Sequence, residues 1–186
     1  MITSMKSNQN LLKNAYLHLK MVYLHRKYVR RYCFKCGLYK QGLTHDLSKY
    51  SLTELLPSIK YYQGDRSPLD QERDIYGYSK AWLHHKGRNK HHWEYWYALL
   101  QNGFDPIEMP INYLIESVCD RMAACRLYLK ETYTDASPYE YFMQNKDRLY
   151  MHPSSAKELE RILLYLKENG EDKTFEMLKK MIQENK

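Results

Sequence analysis

Histidine and aspartate are concentrated in a pattern suited to metal binding. Seven of the eight histidines fall between residues 18 and 92. Histidine is a poor helix former and is costly to bury without partners, so folding alone does not account for this concentration. Neutral imidazole nitrogens and carboxylate oxygens bind Mn, Fe, Co, Ni and Zn. The pattern therefore predicts a site for one or two divalent transition-metal ions.

Two histidine doublets and one His-Asp pair carry this prediction. His84 and His91 are seven residues apart, as are His85 and His92, so each pair shares a helix face if the break at Gly87 is mild. Within each doublet, one histidine is expected to bind metal while the other contacts substrate or supports a ligand. The sequence does not say which.

The adjacent pair His45-Asp46 suits a carboxylate that bridges two ions while the imidazole binds one of them. Asp120 lies among apolar residues of a predicted helix, where a free carboxylate would be costly. Glu116, one turn earlier, is expected to orient a ligand. A salt bridge of Asp120 with Arg121 or Arg126 is the alternative.

The order of these residues resembles the HD-domain superfamily of metal-dependent phosphohydrolases over residues 15–130. His45-Asp46-Leu47-Ser48-Lys49 is similar to the His-Asp-x-x-Lys of the HD-GYP branch. His91-His92-Trp93-Glu94 is similar to the His-His-x-Glu of the same branch, but the Gly-Tyr-Pro that should follow is missing. The fuller pattern is most similar to an uncharacterised bacterial and phage family within the superfamily.

The resemblance implies an all-α, HD-domain-like helical bundle with a central metal site. It implies that Asp46 bridges two ions, which supply hydroxide for hydrolysis. The residues that match the superfamily's metal ligands are His25, His45, Asp46, His85, His92 and Asp120. His91, the other histidine of the later doublet, is a further candidate ligand.

The same resemblance implies roles at the substrate. Lys49, with Arg88 and Asn89, is expected to contact a phosphate group and to stabilise charge that grows on it. Glu94 is expected to relay protons, and a salt bridge to Lys90 four residues earlier explains it equally well. Asp46, Lys49 and Glu94 are thus the predicted catalytic residues.

The bulk composition predicts one globular domain. The chain has 186 residues, of which 44% are hydrophobic and 27% charged. No apolar run approaches the roughly 20 residues of a membrane span, and no signal peptide is recognisable, so we expect a cytoplasmic protein. Cys33-x-x-Cys36 has no second pair at zinc-ribbon spacing, and Cys119 and Cys125 do not supply one. We interpret all four as reduced helix cysteines.

Helices are predicted almost throughout, and a sheet is not expected because β-branched alternation is nearly absent. Capping boxes at Ser51–Glu54 and Ser155–Glu158 predict two helix starts. The metal-binding core is expected at about 15–130, with the C-terminal helices (133–186) as a scaffold. The predicted helices cover about 10–36, 51–62, 71–86, 89–100 and 111–131, with one from near 137, one over 155–169 and a last one from 172.

The first helix is strongly basic. Residues 1–50 carry ten Lys or Arg against one acid, Asp46. Lys6, Lys13, Lys20 and Lys27 recur every seven residues and so share one helix face. A solvated face is the simplest interpretation, and attraction of a phosphate-bearing substrate or a nucleic acid is the alternative.

Three functions fit these features. The first is a phosphohydrolase that acts on a nucleotide or another phosphate ester. The second is a diiron oxygenase on the same scaffold. The third is a non-enzymatic nucleic-acid-binding protein with a structural metal, although six or more candidate ligands exceed what a closed structural zinc site needs. Substrate, metal identity and oligomeric state are left open by the sequence.

Overall fold

Three long helices form the centre of the fold in a computed structural model, which describes residues 2–64 and 66–185, with side chains from residue 10 onward. The prediction of an all-α fold is confirmed. The described helices are α1 (Ile2–Lys35), α2 (Tyr39–Thr44), α3 (Leu52–Lys60), α4 (Pro68–Tyr76), α5 (Lys80–Lys86), α6 (Ile111–Leu129), α7 (Ser137–Asn145) and α8 (Pro153–Glu184). Short 3-10 helices cover Leu47–Tyr50, Trp93–Tyr95, Lys130–Thr132 and Lys146–Arg148.

The core lies where α1, α6, α7 and α8 meet. Val29 of α1 and Val118 of α6 are fully buried there, with Leu163 of α8. The buried residues of α6 include the unbroken run 114–119, so this helix is enclosed on most sides by α1, α7 and α8. The described cysteines are all free and buried, which agrees with the interpretation as helix thiols. Among the described residues, α7 and α8 supply no member of the metal-ligand groups described below.

Two glycines interrupt helices, one inside a predicted helix and one at a predicted helix boundary. The predicted helix 71–86 is two helices, because Gly77 takes a left-handed conformation (φ +78°) and ends α4. Ser79 then begins α5 by accepting a hydrogen bond from the Trp82 amide at 2.9 Å. Gly170, with φ +80° and ψ 172°, interrupts α8 where the sequence predicted one helix to end and another to begin.

The predicted helix 89–100 is wrong. After one 3-10 turn, the chain forms a two-stranded antiparallel hairpin, β1 (Tyr97–Leu100) and β2 (Gly103–Pro106), with Tyr97 opposite Pro106. The aromatic residues that precede and enter β1 prefer extended backbone, and short apolar runs do not distinguish strand from helix. Leu99 is 82% exposed, so these apolar residues do not form a buried helical face.

The two capping boxes predicted helix starts within two residues of the observed ones, but neither box forms its side-chain hydrogen bonds. Ser51 begins α3 without a side-chain cap, and the Glu54 carboxylate lies against histidines instead. α8 begins at Pro153, and the Ser155 hydroxyl accepts a hydrogen bond from the Met109 amide at 2.8 Å. In each case a contact with a distant part of the chain engages a side chain that the local sequence pattern assigns to helix capping, Glu54 at α3 and Ser155 at α8.

The surface of α1 agrees with the simpler interpretation of its charge. Lys13, Lys20 and Lys27 are exposed on one face, whereas the side chain of Lys6 lies outside the described part. α1 begins at Ile2, eight residues before the predicted start. None of the helices in the described ranges combines the length and the apolar character needed to cross a membrane.

Candidate metal centre

The His45-Asp46 pair sits at a sharp turn between α2 and the 3-10 helix Leu47–Tyr50. Asp46 has a left-handed backbone (φ +54°, ψ 26°), a conformation that aspartate tolerates better than most residues. Arg26 holds the turn from α1, because its Nε donates to the His45 carbonyl oxygen at 2.8 Å and its Nη2 to that of Leu43 at 3.1 Å. The turn thereby directs both side chains of the pair into the protein interior, where His45 and Asp46 are 2% and 1% exposed.

The first group of converging ligands, site 1, joins α1, the turn and α6. It comprises His25, His45, Asp46 and Asp120. The Nε2 atom of His25 lies 2.9 Å from Oδ1 of Asp120 and 3.4 Å from Nε2 of His45. Nε2 of His45 is 3.4 Å from Oδ1 of Asp120. Atoms that bind one ion at about 2.05 Å lie about 2.9 Å apart at right angles and about 3.4 Å apart in a tetrahedron, so this spacing fits a shared ion.

The second group, site 2, joins the turn, α5 and the segment that follows α5. It comprises Asp46, His85, His91 and His92. The Nε2 atoms of His85 and His92 are 2.9 Å apart. Oδ1 of Asp46 lies 3.4 Å from Nε2 of His85 and 3.6 Å from Nε2 of His91. Three imidazoles and a carboxylate thus face a common centre at distances close to those of site 1.

Asp46 belongs to both sites through different oxygens. Its Oδ2 lies 3.4 Å from Nε2 of His45 and 3.7 Å from Nε2 of His25, on the side of site 1. Its Oδ1 faces the histidines of site 2. A carboxylate placed in this way could offer one oxygen to an ion in each group.

The hydrogen bonding of two buried atoms in site 2 indicates whether this site suits a cation. Oδ1 of Asp46 and Nε2 of His91 are buried and have no hydrogen-bond partner in the described structure. Buried polar atoms are nearly always partnered, since an unpartnered one costs free energy. A metal ion between them would satisfy both atoms at once, so the donor set fits the metal.

Two buried glutamates orient the ligand imidazoles. Oε1 of Glu116 lies 2.9 Å from Nδ1 of His45 and 3.3 Å from Nδ1 of His91. Oε2 of Glu54 lies 2.8 Å from Nδ1 of His85. A carboxylate on Nδ1 holds the proton there and leaves Nε2 free for metal. Glu116 thus supports one ligand of each site, whereas Glu54 supports site 2 alone.

The charges of the two sites differ. In site 1, burial alone would lower the pKa of His45, but Asp46, Asp120 and Glu116 raise it well above its ordinary value. Burial would raise the pKa of Asp46, yet His45 and Lys49 hold it well below its usual range. In site 2, burial together with His91 and His85 keeps the pKa of His92 well below its usual value. His92 is therefore neutral, whereas a cation held at site 1 would have to displace a proton from His45.

Both sites open onto one cavity of about 190 Å³. His25, Asp46 and Asp120 reach it from site 1, and His85 and His92 from site 2. Nζ of Lys49 is 2.7 Å from Oδ2 of Asp46 at the cavity wall. Trp82 also lines the cavity and packs against His85 and His92, with ring centroids 5.6 and 4.8 Å away.

A family of unknown function, DUF5662, matches the chain over residues 14–164. The chain belongs to this family. No curated protein and no solved structure matches it. The matched segment of the DUF5662 chain contains both sites and Lys49.

All seven predicted ligands are brought together. His91 and His92 both join site 2, whereas His84 does not, because its Nδ1 lies against Glu54 at 2.6 Å. The doublets do not share one helix face, since α5 ends at Lys86 and a turn carries His91 and His92 back to His85. Asp120 meets His25 and His45 rather than the alternative partner Arg126, which pairs with Glu171.

Three residues predicted to act on substrate lie away from the cavity lining. Arg88 is exposed, and its Nη1 is 3.5 Å from the His84 carbonyl oxygen. Asn89 is buried and donates to the His85 carbonyl oxygen at 2.8 Å and to the Ser48 hydroxyl at 2.7 Å, so it holds site 2 in place. Glu94 belongs to none of the ligand groups, and its Oε2 is buried without a partner within the described residues.

Sequence reasoning missed two supporting residues. Glu54 matched a capping box and was assigned to a helix end. Arg26 carried no signal beyond its place next to His25, because the carbonyl oxygens that it binds come from residues about twenty positions away.

Replacing Glu116 with glutamine is expected to weaken metal binding at both sites about 10- to 100-fold, the usual effect of removing a partner of a ligand imidazole. Glu54→Gln should weaken only site 2. Competition with a chromogenic chelator measures both affinities. Glu72→Gln is the matched control, because Glu72 is equally buried but bonds to Ser79 away from the sites. Equal losses in all three variants would show that general destabilisation, not ligand orientation, causes the effect.

Proposed function

We propose that this protein is a metal-dependent phosphohydrolase that hydrolyses a phosphate ester, nucleotide or otherwise, with two divalent transition-metal ions. The observation that carries the proposal is the shared carboxylate of Asp46, which faces site 1 with Oδ2 and site 2 with Oδ1. Paired ions that share a carboxylate are a recurring device for phosphoryl chemistry. The order of the ligands along the chain, which resembles the HD-domain superfamily, supports the same proposal.

The opening of both sites onto a cavity favours catalysis over a structural role. Structural zinc sites are closed by four protein ligands, whereas catalytic sites keep a position for water or substrate. Here five ligand residues of the two sites line a common cavity. Five imidazoles in the combined set favour Mn, Fe, Co, Ni or Zn over Mg or Ca, which prefer oxygen.

Divalent ions held at these sites would supply hydroxide at neutral pH and a counter-charge for the phosphoryl oxygens. The chain's own contribution begins with Lys49, whose ammonium group meets a phosphoryl oxygen at the cavity wall and stabilises the charge that grows there. Asp46 and Lys49 hold each other in place through their 2.7 Å ion pair. Glu116 and Glu54 keep the ligand imidazoles in one tautomer, as described above.

Hydrolysis of p-nitrophenyl phosphate by protein stripped of metal and then reloaded with one ion at a time tests the proposal. We expect turnover with at least one of Mn, Fe, Co, Ni and Zn, none in the stripped protein, and a loss in Asp120→Asn. A diester and a nucleotide panel then define the ester class. Absence of turnover by reloaded protein on every ester would overturn the proposal.

The same preparations separate the competing functions. Oxygen uptake by iron-loaded protein without ester hydrolysis would identify an oxygenase. Salt-sensitive binding to nucleic acid by the basic face of α1, without turnover in any metal form, would identify a binding protein.

A further inference from the structure

The cavity extends beyond the ligands into a largely apolar region. Between α1, α3, α4 and α6 its walls include Met21, Val22, Leu69 and Leu127, with the rings of Tyr62 and Tyr128. Lys49 is the only lysine or arginine among the lining residues. The apolar region therefore suits an uncharged part of a ligand. The end of the cavity that carries Lys49 and the metal-ligand residues suits a single phosphate group.

Ser58 and Ser67 also line the cavity, but among the described residues of this region the buried side-chain atom without a hydrogen-bond partner belongs to His18. His18 lies on α1, two turns before His25, and is 8% exposed. Its Nε2 atom is buried and has no hydrogen-bond partner in the described part of the chain. The imidazole lines the cavity and meets the Tyr62 ring edge-on, with ring centroids 6.2 Å apart. His18 belongs to none of the metal-ligand groups found among the described residues.

Packing alone does not explain this histidine. An apolar side chain would fill the same space without leaving a buried nitrogen unpartnered, which costs free energy. Burial, and secondarily the charge of Lys49, lower the pKa of His18 to about 4, so the ring is neutral at pH 7. A neutral imidazole nitrogen makes a hydrogen bond to a hydroxyl group without requiring a charged partner.

We propose that the region around His18 is the subsite for the alcohol part of the substrate, and that His18 Nε2 hydrogen-bonds a hydroxyl on that part. This inference rests on the proposed function and narrows it. The substrate is a compact phosphate monoester whose alcohol part is uncharged, is apolar where it meets Met21 and Leu127, and carries one hydroxyl within reach of His18. His18 is thus a residue of specificity rather than a metal ligand.

Hydrolysis-resistant probes test the subsite directly. Alkylphosphonates of two to five carbons are compared with the matching ω-hydroxyalkylphosphonates by isothermal titration calorimetry on metal-loaded protein. At one chain length or more, the hydroxyl is expected to tighten binding about three- to tenfold, the size of one neutral hydrogen bond. His18→Phe, which keeps an aromatic ring beside Tyr62, should abolish that gain, and His18→Gln, which keeps a polar atom near the Nε2 position, should retain part of it.

Metal content, circular dichroism and the binding of inorganic phosphate separate the possible failures. Metal content and circular dichroism of both variants should equal those of the wild type, since His18 binds no ion. A hydroxyl that gives no gain at every chain length, or a gain that survives in His18→Phe, overturns the subsite and leaves the phosphohydrolase proposal standing if esters are hydrolysed. Failure of metal-loaded protein to bind inorganic phosphate and every phosphonate would overturn both.

Discussion

Asp46→Ala is expected to lower the metal content from about two ions per chain to less than about half an ion, because one carboxylate serves both sites. Its two oxygens face different histidine groups, so the substitution removes a ligand from each group at once. It also leaves His45 and His85 without the negative charge that lies next to them. Elemental analysis by mass spectrometry, on protein purified without a metal-binding tag, measures the loss.

Single-site variants provide the comparison that makes this result specific. Asp120→Ala removes a ligand from site 1 only, and His92→Ala removes one from site 2 only. Each should therefore lose about one ion and keep the other. If Asp46→Ala loses one ion as well, Asp46 is a ligand of one site and not a bridge. Circular dichroism separates loss of metal from loss of fold, and retention of both ions in folded Asp46→Ala would refute the dinuclear site.

Part of the candidate ligand set could be predicted from residue chemistry, because histidine doublets and a mid-helix aspartate in an apolar segment are costly to a fold that gives them no partners. The choice of His25 came from the resemblance to the HD-domain superfamily. Which oxygen of Asp46 faces which histidine group is not in the pattern, since it depends on the left-handed turn at residue 46. The role of Glu54 was hidden because a local rule explained the same residue equally well.

The errors in secondary structure have a similar origin. The predicted helix 89–100 treated His91 and His92 as a continuation of α5, although an aromatic-rich segment with a glycine on either side also suits turns and strands. The structure instead bonds the indole Nε1 of Trp96 to the Lys90 carbonyl oxygen at 2.7 Å, which closes the turn that returns His91 and His92 to site 2. The contacts that bring His91 and His92 to site 2, rather than a local preference for helix, therefore determine the backbone conformation of this segment.

Lys49→Met is expected to lower kcat/KM for phosphate-ester hydrolysis about 100- to 1,000-fold while both metal ions stay bound, the size of effect seen when one charge-stabilising donor is removed. The methionine keeps much of the aliphatic stem and removes only the ammonium group. That group lies at the cavity wall, and its side chain keeps 28% of its surface exposed, so it can reach a ligand in the cavity. Steady-state kinetics together with metal analysis of the same samples measure the two effects.

The alternative role for Lys49 is to neutralise Asp46, and turnover by metal-saturated protein distinguishes it from a role at the substrate. If Lys49 served only as a counter-ion, its loss would leave the charge of Asp46 uncompensated, tighten metal binding and leave that turnover unchanged. A role at the phosphate predicts weaker binding of inorganic phosphate and slow turnover at full metal content. Lys49→Arg, which keeps the charge on a larger group, should recover part of the rate. Lys20→Met, on the exposed face of α1, is the matched control for the loss of one positive charge and should leave both measurements unchanged.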